Sequence, residues 1–120
     1  SDGSSINGNY AHREGGGAYL EDDSTMSLSN ASDGAGGGAF LSDSTMSVSD
    51  GSSINENTAH REGGGAYLED DSTMSLSNGS SITGNTAYVN GGGTYLYSST
   101  MSVSDGSSIN GNYAHREGGG

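Results

Sequence analysis

The chain has 120 residues, of which only 28% are hydrophobic, and it contains 23 glycines but no proline or cysteine. Its net charge of −12 argues against a nucleic-acid-binding function, because binding to phosphates requires basic patches. No apolar run approaches the roughly 20 residues of a membrane-spanning helix, and the composition by itself is typical of a disordered acidic segment.

An internal repeat argues against disorder. The triplet Gly-Gly-Gly begins at residues 15, 36, 63, 91 and 118, so that the first interval is shorter than the other three, which are nearly equal. Apolar residues recur in step with the triplets, which a disordered chain has no reason to maintain. The same seventeen residues also fill 1–17 and 104–120. Residues 1–120 are therefore predicted to be one solenoid segment with coils starting near 15, 36, 63, 91 and 118, and we expect it to be a window of a longer repetitive chain.

Each unit contains three predicted strands in chain order. The glycine triplet is followed by Ala/Thr-Tyr/Phe-Leu, then by Ser-Thr-Met-Ser-Leu/Val-Ser, then by Ser-Ser-Ile-x-x-Asn-x-Ala. Apolar and polar residues alternate in these segments, as in β-strands, and Asp-Gly or Asn-Gly turns precede the third segment. Three short strands in each coil of about 27 residues predict an all-β fold, a parallel β-helix (β-solenoid) whose strands pair with their counterparts in the next coil.

The coil at 15–35 is predicted to be short. The next triplet follows sooner than in the other coils, and the Ile-x-x-Asn segment is missing, its place being taken by residues 29–35. We expect the missing third strand either to pull one corner inward or to leave a gap between Asn9 and Asn57.

The alternation also predicts which side chains fill the interior. The predicted core consists of Leu, Met and Ile side chains at matched positions: Leu20, Met26, Leu28, Met46, Ile54, Leu68, Met74, Ile82, Leu96, Met101 and Ile109. One asparagine follows each Ile of the third segment by three residues: Asn9, Asn57, Asn85 and Asn112. Buried amides need partners, so these asparagines are predicted to form a structural ladder along the axis. The alternative is a ligand-binding role.

Two outward columns are predicted on the surface. The aromatic column consists of Tyr19, Phe40, Tyr67 and Tyr95. The hydroxyl face consists of Thr25, Ser27, Thr45, Ser47, Thr73, Ser75, Thr100 and Ser102. The aromatic column is suited to stacking on sugars or on a neighbouring fibre, and the hydroxyl face to binding ice. For both, the alternative is simple packing or solvation.

The remaining polar motifs favour no catalytic site. His-Arg-Glu recurs at 12–14, 60–62 and 115–117, and a catalytic site seldom occurs in triplicate; a local ion pair in a solvated turn is expected. The acidic turns are expected to be solvated, with calcium at Asp22, Asp23, Asp70 and Asp71 as the alternative. We therefore expect neither an enzyme nor a cofactor other than that calcium.

The repeats resemble those of bacterial surface β-helix proteins. Ile-x-x-Asn at 6–9, 54–57, 82–85 and 109–112, together with Gly-Gly-Ala-Tyr/Phe at 16–19, 37–40 and 64–67, is similar to the GGA(I/L/V) and FxxN repeats of chlamydial polymorphic outer membrane proteins. Ile replaces Phe in the second motif, and an aromatic residue follows Gly-Gly-Ala. The resemblance covers almost the whole chain. It implies a right-handed parallel β-helix at a cell surface with an adhesive or structural role.

Together these features predict a structural repeat segment of an extracellular or cell-surface filament, fibre or sheath that assembles by stacking coil on coil. The alternative is a binding module, either a surface adhesin passenger or an ice-binding module that uses the aromatic or hydroxyl column. The expected partner is the protein itself, end to end and laterally, with no nucleic acid and no membrane insertion of this segment.

Overall fold

The computed structural model describes residues 37–120 and three short strands before them. The described residues contain fifteen strands arranged in four parallel sheets. The first sheet contains β2 (Ala18–Leu20), β4 (Ala39–Ser42), β8 (Ala66–Glu69) and β12 (Thr94–Leu96). The second contains β3 (Thr25–Ser29), β5 (Thr45–Ser49), β9 (Thr73–Leu76) and β13 (Thr100–Val103). The third contains β6 (Ser53–Asn55), β10 (Ser81–Thr83) and β14 (Ser108–Asn110). The fourth contains β1 (Tyr10–Ala11), β7 (Thr58–Ala59), β11 (Thr86–Ala87) and β15 (Tyr113–Ala114). The predicted fold class, an all-β parallel β-helix, is confirmed.

The third segment of each coil is divided between the third and fourth sheets by a bend. The residue at the bend has a positive φ: 60° at Glu56, 65° at Gly84 and 62° at Gly111. This left-handed conformation interrupts the strand. It resets the alternation, so that Ile54 and Asn57, three residues apart, are both fully buried.

Equivalent residues of successive coils lie directly opposite each other. Met46 is opposite Met74, which is opposite Met101, and the three isoleucines of the third sheet align in the same way. The interior side chains Met46, Ile54, Leu68, Met74 and Ile82 have no exposed surface. Burial of each stabilises the fold by about 1.5–3 kcal/mol. The strands of Leu20, Met26 and Leu28 align with those of the next coil, but these three side chains lie outside the described residues.

The last coil departs from the predicted core. Leu96, predicted to be interior, is 38% exposed, and Met101 and Ile109 are only half-buried. Leu96 aligns with the fully buried Leu68, so its orientation follows the pattern. On the other side of this coil the structure holds only residues 118–120, which pair with residues 92–94 and leave Leu96 uncovered.

The short coil is matched by an unusual pairing in the fourth sheet. In the first sheet every coil contributes a strand, since Ala18 aligns with Ala39 and Ala39 with Ala66. In the fourth sheet β1 pairs directly with β7, with Tyr10 opposite Thr58, although the whole short coil lies between them in the sequence. The coil at 15–35 therefore contributes no strand between β1 and β7, and β1 covers the edge that it would have covered. No gap is present at this point of the fourth sheet; residues 30–35 and Asn9 lie outside the described residues.

The glycine triplets form the corner between the fourth and first sheets. The first glycine has a positive φ, 65° at Gly63. The third has no room for a side chain, because a Cβ on Gly65 would lie 2.5 Å from the carbonyl oxygen of Gly93. At this corner the backbones of successive coils approach too closely for any residue other than glycine.

Candidate functional surfaces

The asparagines at the bend form the predicted ladder in the interior. Asn57 and Asn85 are fully buried, and the Asn57 side-chain amide donates to Oδ1 of Asn85. The Asn85 amide donates in turn to Oδ1 of Asn112 at 2.9 Å and to the carbonyl oxygen of Ile54 at 3.0 Å. The backbone N–H groups of Asn57 and Asn85 also donate to the next Oδ1. Apart from Oδ1 of Asn57, the column thus satisfies its side-chain polar groups along the axis, which favours a structural role.

Within the described residues the ladder has a polarity. Each side-chain amide donates toward the C-terminal coil, and the amide of Asn112 donates to the carbonyl oxygen of Ile82 at 2.9 Å. The buried Oδ1 of Asn57 has no hydrogen-bond partner. Asn9, the predicted member of the ladder that precedes Asn57, lies outside the described residues.

The aromatic column is a continuous stack. The ring centroids of Phe40 and Tyr67 are 5.3 Å apart with planes 3° from parallel, and those of Tyr67 and Tyr95 are also 5.3 Å apart. Phe40 is only 5% exposed, although it was predicted to face solvent. The prediction of its exposure is wrong; one face of its ring is covered by Tyr67 of the next coil. The side chain of Tyr19 lies outside the described residues; its backbone is opposite Phe40.

Tyr67 is held in a partly buried, negatively charged environment. Its hydroxyl group donates to Oε2 of Glu69 at 3.1 Å. Burial, this hydrogen bond and the charges of Glu69 and Glu62 raise the pKa of Tyr67 from 10.0 to about 12. Each of these factors favours the neutral phenol over the phenolate.

The raised pKa of Tyr67 predicts a loss of stability in alkali. Below pH 10 the Tyr67 phenol is neutral in both the folded and the unfolded chain, so the full stability is present. Between pH 10 and 12 the phenol ionises in the unfolded chain but not yet in the folded one, so the free energy of unfolding falls. We expect Tyr67→Phe to flatten this fall in urea unfolding measured from pH 9 to 12. Tyr88→Phe, which removes an exposed hydroxyl group, is the control. If the free energy of unfolding of Tyr67→Phe fell with pH as steeply as that of the parent, the raised pKa of Tyr67 would be contradicted.

The hydroxyl face lies along the second sheet, with its residues in register. Thr45 aligns with Thr73 and Thr73 with Thr100, and all three are exposed. Ser47, Ser75 and Ser102 form the adjacent row, in which the hydroxyl groups of Ser47 and Ser75 are 3.1 Å apart and hydrogen-bonded. The strand of Thr25 and Ser27 continues both rows. The face is therefore a regular two-row array, and Ser47 and Ser75 satisfy part of their hydrogen-bonding capacity internally.

The acidic turns lie at an exposed corner. Asp70 and Asp71 are exposed with φ values of 52° and 60°, and Oδ2 of Asp70 accepts from the Ser42 hydroxyl group at 3.2 Å. Among the residues that the structure describes, no three His, Asp or Glu side chains are close enough to hold a metal. Asp22 and Asp23 lie outside that part of the chain, so the calcium alternative stays a prediction.

The His-Arg-Glu turns lie on another edge. Nε of Arg61 is 3.6 Å from Oε2 of Glu62; the Arg61 side chain is exposed, whereas that of Glu62 is partly buried. Tyr88 lies between the two described histidines, with ring centroids 5.0 Å from His60 and 5.9 Å from His115. This second aromatic column was not predicted, because its members are of different types in successive coils.

Buried serines are a further feature that sequence reasoning missed. Ser52, Ser72 and Ser80 have no exposed surface. The hydroxyl group of Ser72 donates to the carbonyl oxygen of Glu69 at 2.7 Å, and that of Ser80 to the carbonyl oxygen of Ser77. These serines line the interior at the turns, and each hydroxyl group donates to the same carbonyl group that accepts the serine's own backbone N–H. The sequence signal that could have identified these serines is their fixed position, directly before Thr-Met or directly after Asp-Gly or Asn-Gly.

Among the described strands, β12, β13, β14 and β15 are the last in the order of the four sheets, and β2, β3, β6 and β1 are the first. The start of β12 is paired by the last glycine triplet, since the N–H of Thr94 donates to the carbonyl oxygen of Gly120 at 3.1 Å. Leu96 and Val103, 38% and 44% exposed, leave apolar interior surface uncovered at the end of the last coil. Exposed strand edges beside apolar surface are a template for adding further strands.

Comparison of the chain with protein-family models, curated proteins and solved structures gives no match. The resemblance to the bacterial surface repeats therefore rests on the motifs themselves. Within the described residues, no helix is long and apolar enough to cross a membrane.

Proposed function

We propose that this chain is a structural repeat segment of an extracellular filament, fibre or sheath whose copies assemble by stacking coil on coil. The observation that carries the proposal is that successive coils stack in register through equivalent residues. Val103 aligns with Leu76, which aligns with Val48; Leu76 and Val48 are fully buried, whereas Val103 is 44% exposed. A coil stacked on this side of β13 would cover Val103 and continue the pairing of the sheet. The extracellular location is supported by the resemblance of the repeats alone.

A pair of neighbouring substitutions on β13 tests this proposal. Val103→Lys places a charge on the interior-facing end surface, and Ser102→Lys adds the same charge to the outward face of the same strand. We expect the parent and Ser102→Lys to form fibres in sedimentation and electron microscopy. Val103→Lys is expected to reduce fibre yield about tenfold or more, since burying an unpaired charge at the junction costs several kcal/mol.

Salt should promote assembly, because copies with a net charge of −12 repel each other.

A parent protein that remains a monodisperse monomer at high concentration and in high salt would overturn the filament proposal. The binding-module alternative would then be the one to test. Inhibition of ice growth that is lost in Ser75→Lys would indicate the hydroxyl face. Retention on glycans that is lost in Tyr67→Ala would indicate the aromatic column.

A further inference from the structure

The turn between the second and third sheets is repeated in three successive coils with one difference. It contains Asp50-Gly51, then Asn78-Gly79, then Asp105-Gly106. The first residue of each pair has a φ of 55°, 52° and 52°, and the glycine a φ of 74°, 75° and 75°. The three turns therefore have the same conformation. Asn78 stands between two aspartates in a column whose neighbouring members are about 4.8 Å apart.

Asn78-Gly79 is a dipeptide with a chemistry of its own. Asparagine followed by glycine deamidates readily, because glycine has no side chain to hinder ring closure. The backbone nitrogen of Gly79 bonds to Cγ of Asn78, and the side-chain nitrogen leaves as ammonia with the proton of the Gly79 N–H. Water then opens the cyclic imide at either carbonyl group and leaves aspartate or isoaspartate. The net reaction consumes one water molecule and releases one ammonia molecule.

The stacked coils hold each group that this reaction must move. The peptide group between Asn78 and Gly79 is bonded on both sides: its carbonyl oxygen accepts from the N–H of Gly51 at 2.9 Å, and its N–H donates to the carbonyl oxygen of Asp105 at 2.9 Å. The side-chain amide of Asn78 donates to Oδ1 of Asp50 at 3.0 Å. Ring closure requires the peptide group and the side chain to rotate, and all three bonds oppose that rotation.

We propose that Asn78 is a deamidation site that coil stacking keeps unreactive and whose conversion weakens the stack. Asn78 is exposed to water, so in the folded chain the reaction waits only for local opening of the turn, and the cost of that opening lowers its rate. A carboxylate at position 78 removes the donor to Oδ1 of Asp50 and completes a row of three like charges, which destabilises paired strands. An isoaspartate also adds one carbon atom to the backbone of the turn.

Mass spectrometry that resolves each asparagine tests the protection. In a mildly alkaline buffer we expect Asn78 to deamidate about tenfold or more slowly in the folded chain than in the chain unfolded in urea. Asp50→Ala removes the acceptor of the Asn78 amide and is expected to raise the rate in the folded chain. Asp105→Ala is the matched control, because it removes the same charge from the other side of Asn78 but leaves that acceptor in place. Equal rates in the folded and unfolded chains, or equal effects of the two variants, would overturn the proposal.

Asn90-Gly91 is an internal reference in the same molecule. Its peptide group is also bonded on both sides, accepting from the N–H of Gly63 at 3.1 Å and donating to the carbonyl oxygen of Glu117 at 2.9 Å. General destabilisation of the fold by Asp50→Ala would accelerate deamidation at both sites, whereas loss of the side-chain bond accelerates it at Asn78 alone. A parallel rise at Asn90 would refute the role of Asp50.

Asn78→Asp reproduces the aspartate product and tests its effect on the stack. We expect it to lower the urea midpoint of unfolding more than Asn110→Asp, which adds the same charge at an exposed position opposite Thr83. The difference should shrink at high salt, because exposed charges are then screened. If the midpoint of Asn78→Asp equalled that of the parent, deamidation would not weaken the stack and the proposal would fail in that respect.

Discussion

Gly65→Ala is expected to destabilise the protein by about 4 kcal/mol or more. The new methyl group would lie 2.5 Å from the carbonyl oxygen of Gly93, 2.7 Å from Cγ2 of Ile82 and 3.0 Å from Nδ2 of Asn85. The backbone N–H of Gly65 donates to that same carbonyl at 2.9 Å. The carbonyl cannot move aside without breaking this bond and separating two coils. Because small domains are stable by only about 5–15 kcal/mol, urea unfolding should show a large loss.

Gly79→Ala is the matched control for this prediction. Gly79 has a φ of 75°, and a Cβ there would meet no atom within 4 Å. Only the strain of a left-handed alanine remains, about 1–2 kcal/mol. Similar urea midpoints for the two variants would show that the corner can open and that its close packing is not required.

Asn85→Leu is expected to cost about 3 kcal/mol, although leucine has a similar volume. The substitution removes the acceptor of the Asn57 backbone N–H and a donor to the Ile54 carbonyl group. Both groups lie at buried residues, so water cannot replace the lost partners. The free energy of unfolding measured in urea is the quantity to compare with that of the parent.

Asn110→Thr controls for the loss of an asparagine. Asn110 is exposed, and Thr83 occupies the aligned position in the neighbouring coil. We expect this change to be nearly neutral. If the free energy of unfolding of Asn85→Leu equalled that of the parent and of Asn110→Thr, the ladder would contribute nothing to stability.

The repeat was sufficient to predict the architecture. Nearly equal spacing of Met46, Met74 and Met101 implied that these residues occupy equivalent places, and in the structure they lie opposite one another. The ladder was predictable for the same reason, because an asparagine at a fixed distance from each buried isoleucine must find polar partners in the next coil. In parallel in-register stacking, the neighbours of a residue in the adjacent coils are the equivalent residues of those coils. The repeat pattern alone is therefore sufficient for each of these predictions.

Exposure was less predictable than orientation. Phe40 and Leu96 both lie at the register positions that the alternation gives them, yet Phe40 is 5% exposed and Leu96 is 38% exposed. Alternation reports which side of a strand a residue is on. It does not report how much of that side another coil covers.

The sequence by itself determined the strands, their parallel register and the identity of the interior columns, because a period of about 27 residues with alternating polarity is compatible with few other folds. Only the tertiary structure decided the division of the third segment at Glu56 and Gly84, since a left-handed residue is recognised by its φ rather than by its type. It also decided that β1 pairs with β7 across the short coil. That pairing joins strands that a whole coil separates in the sequence. It depends on which strand edge is left uncovered, and edge exposure is a property of the assembled coils.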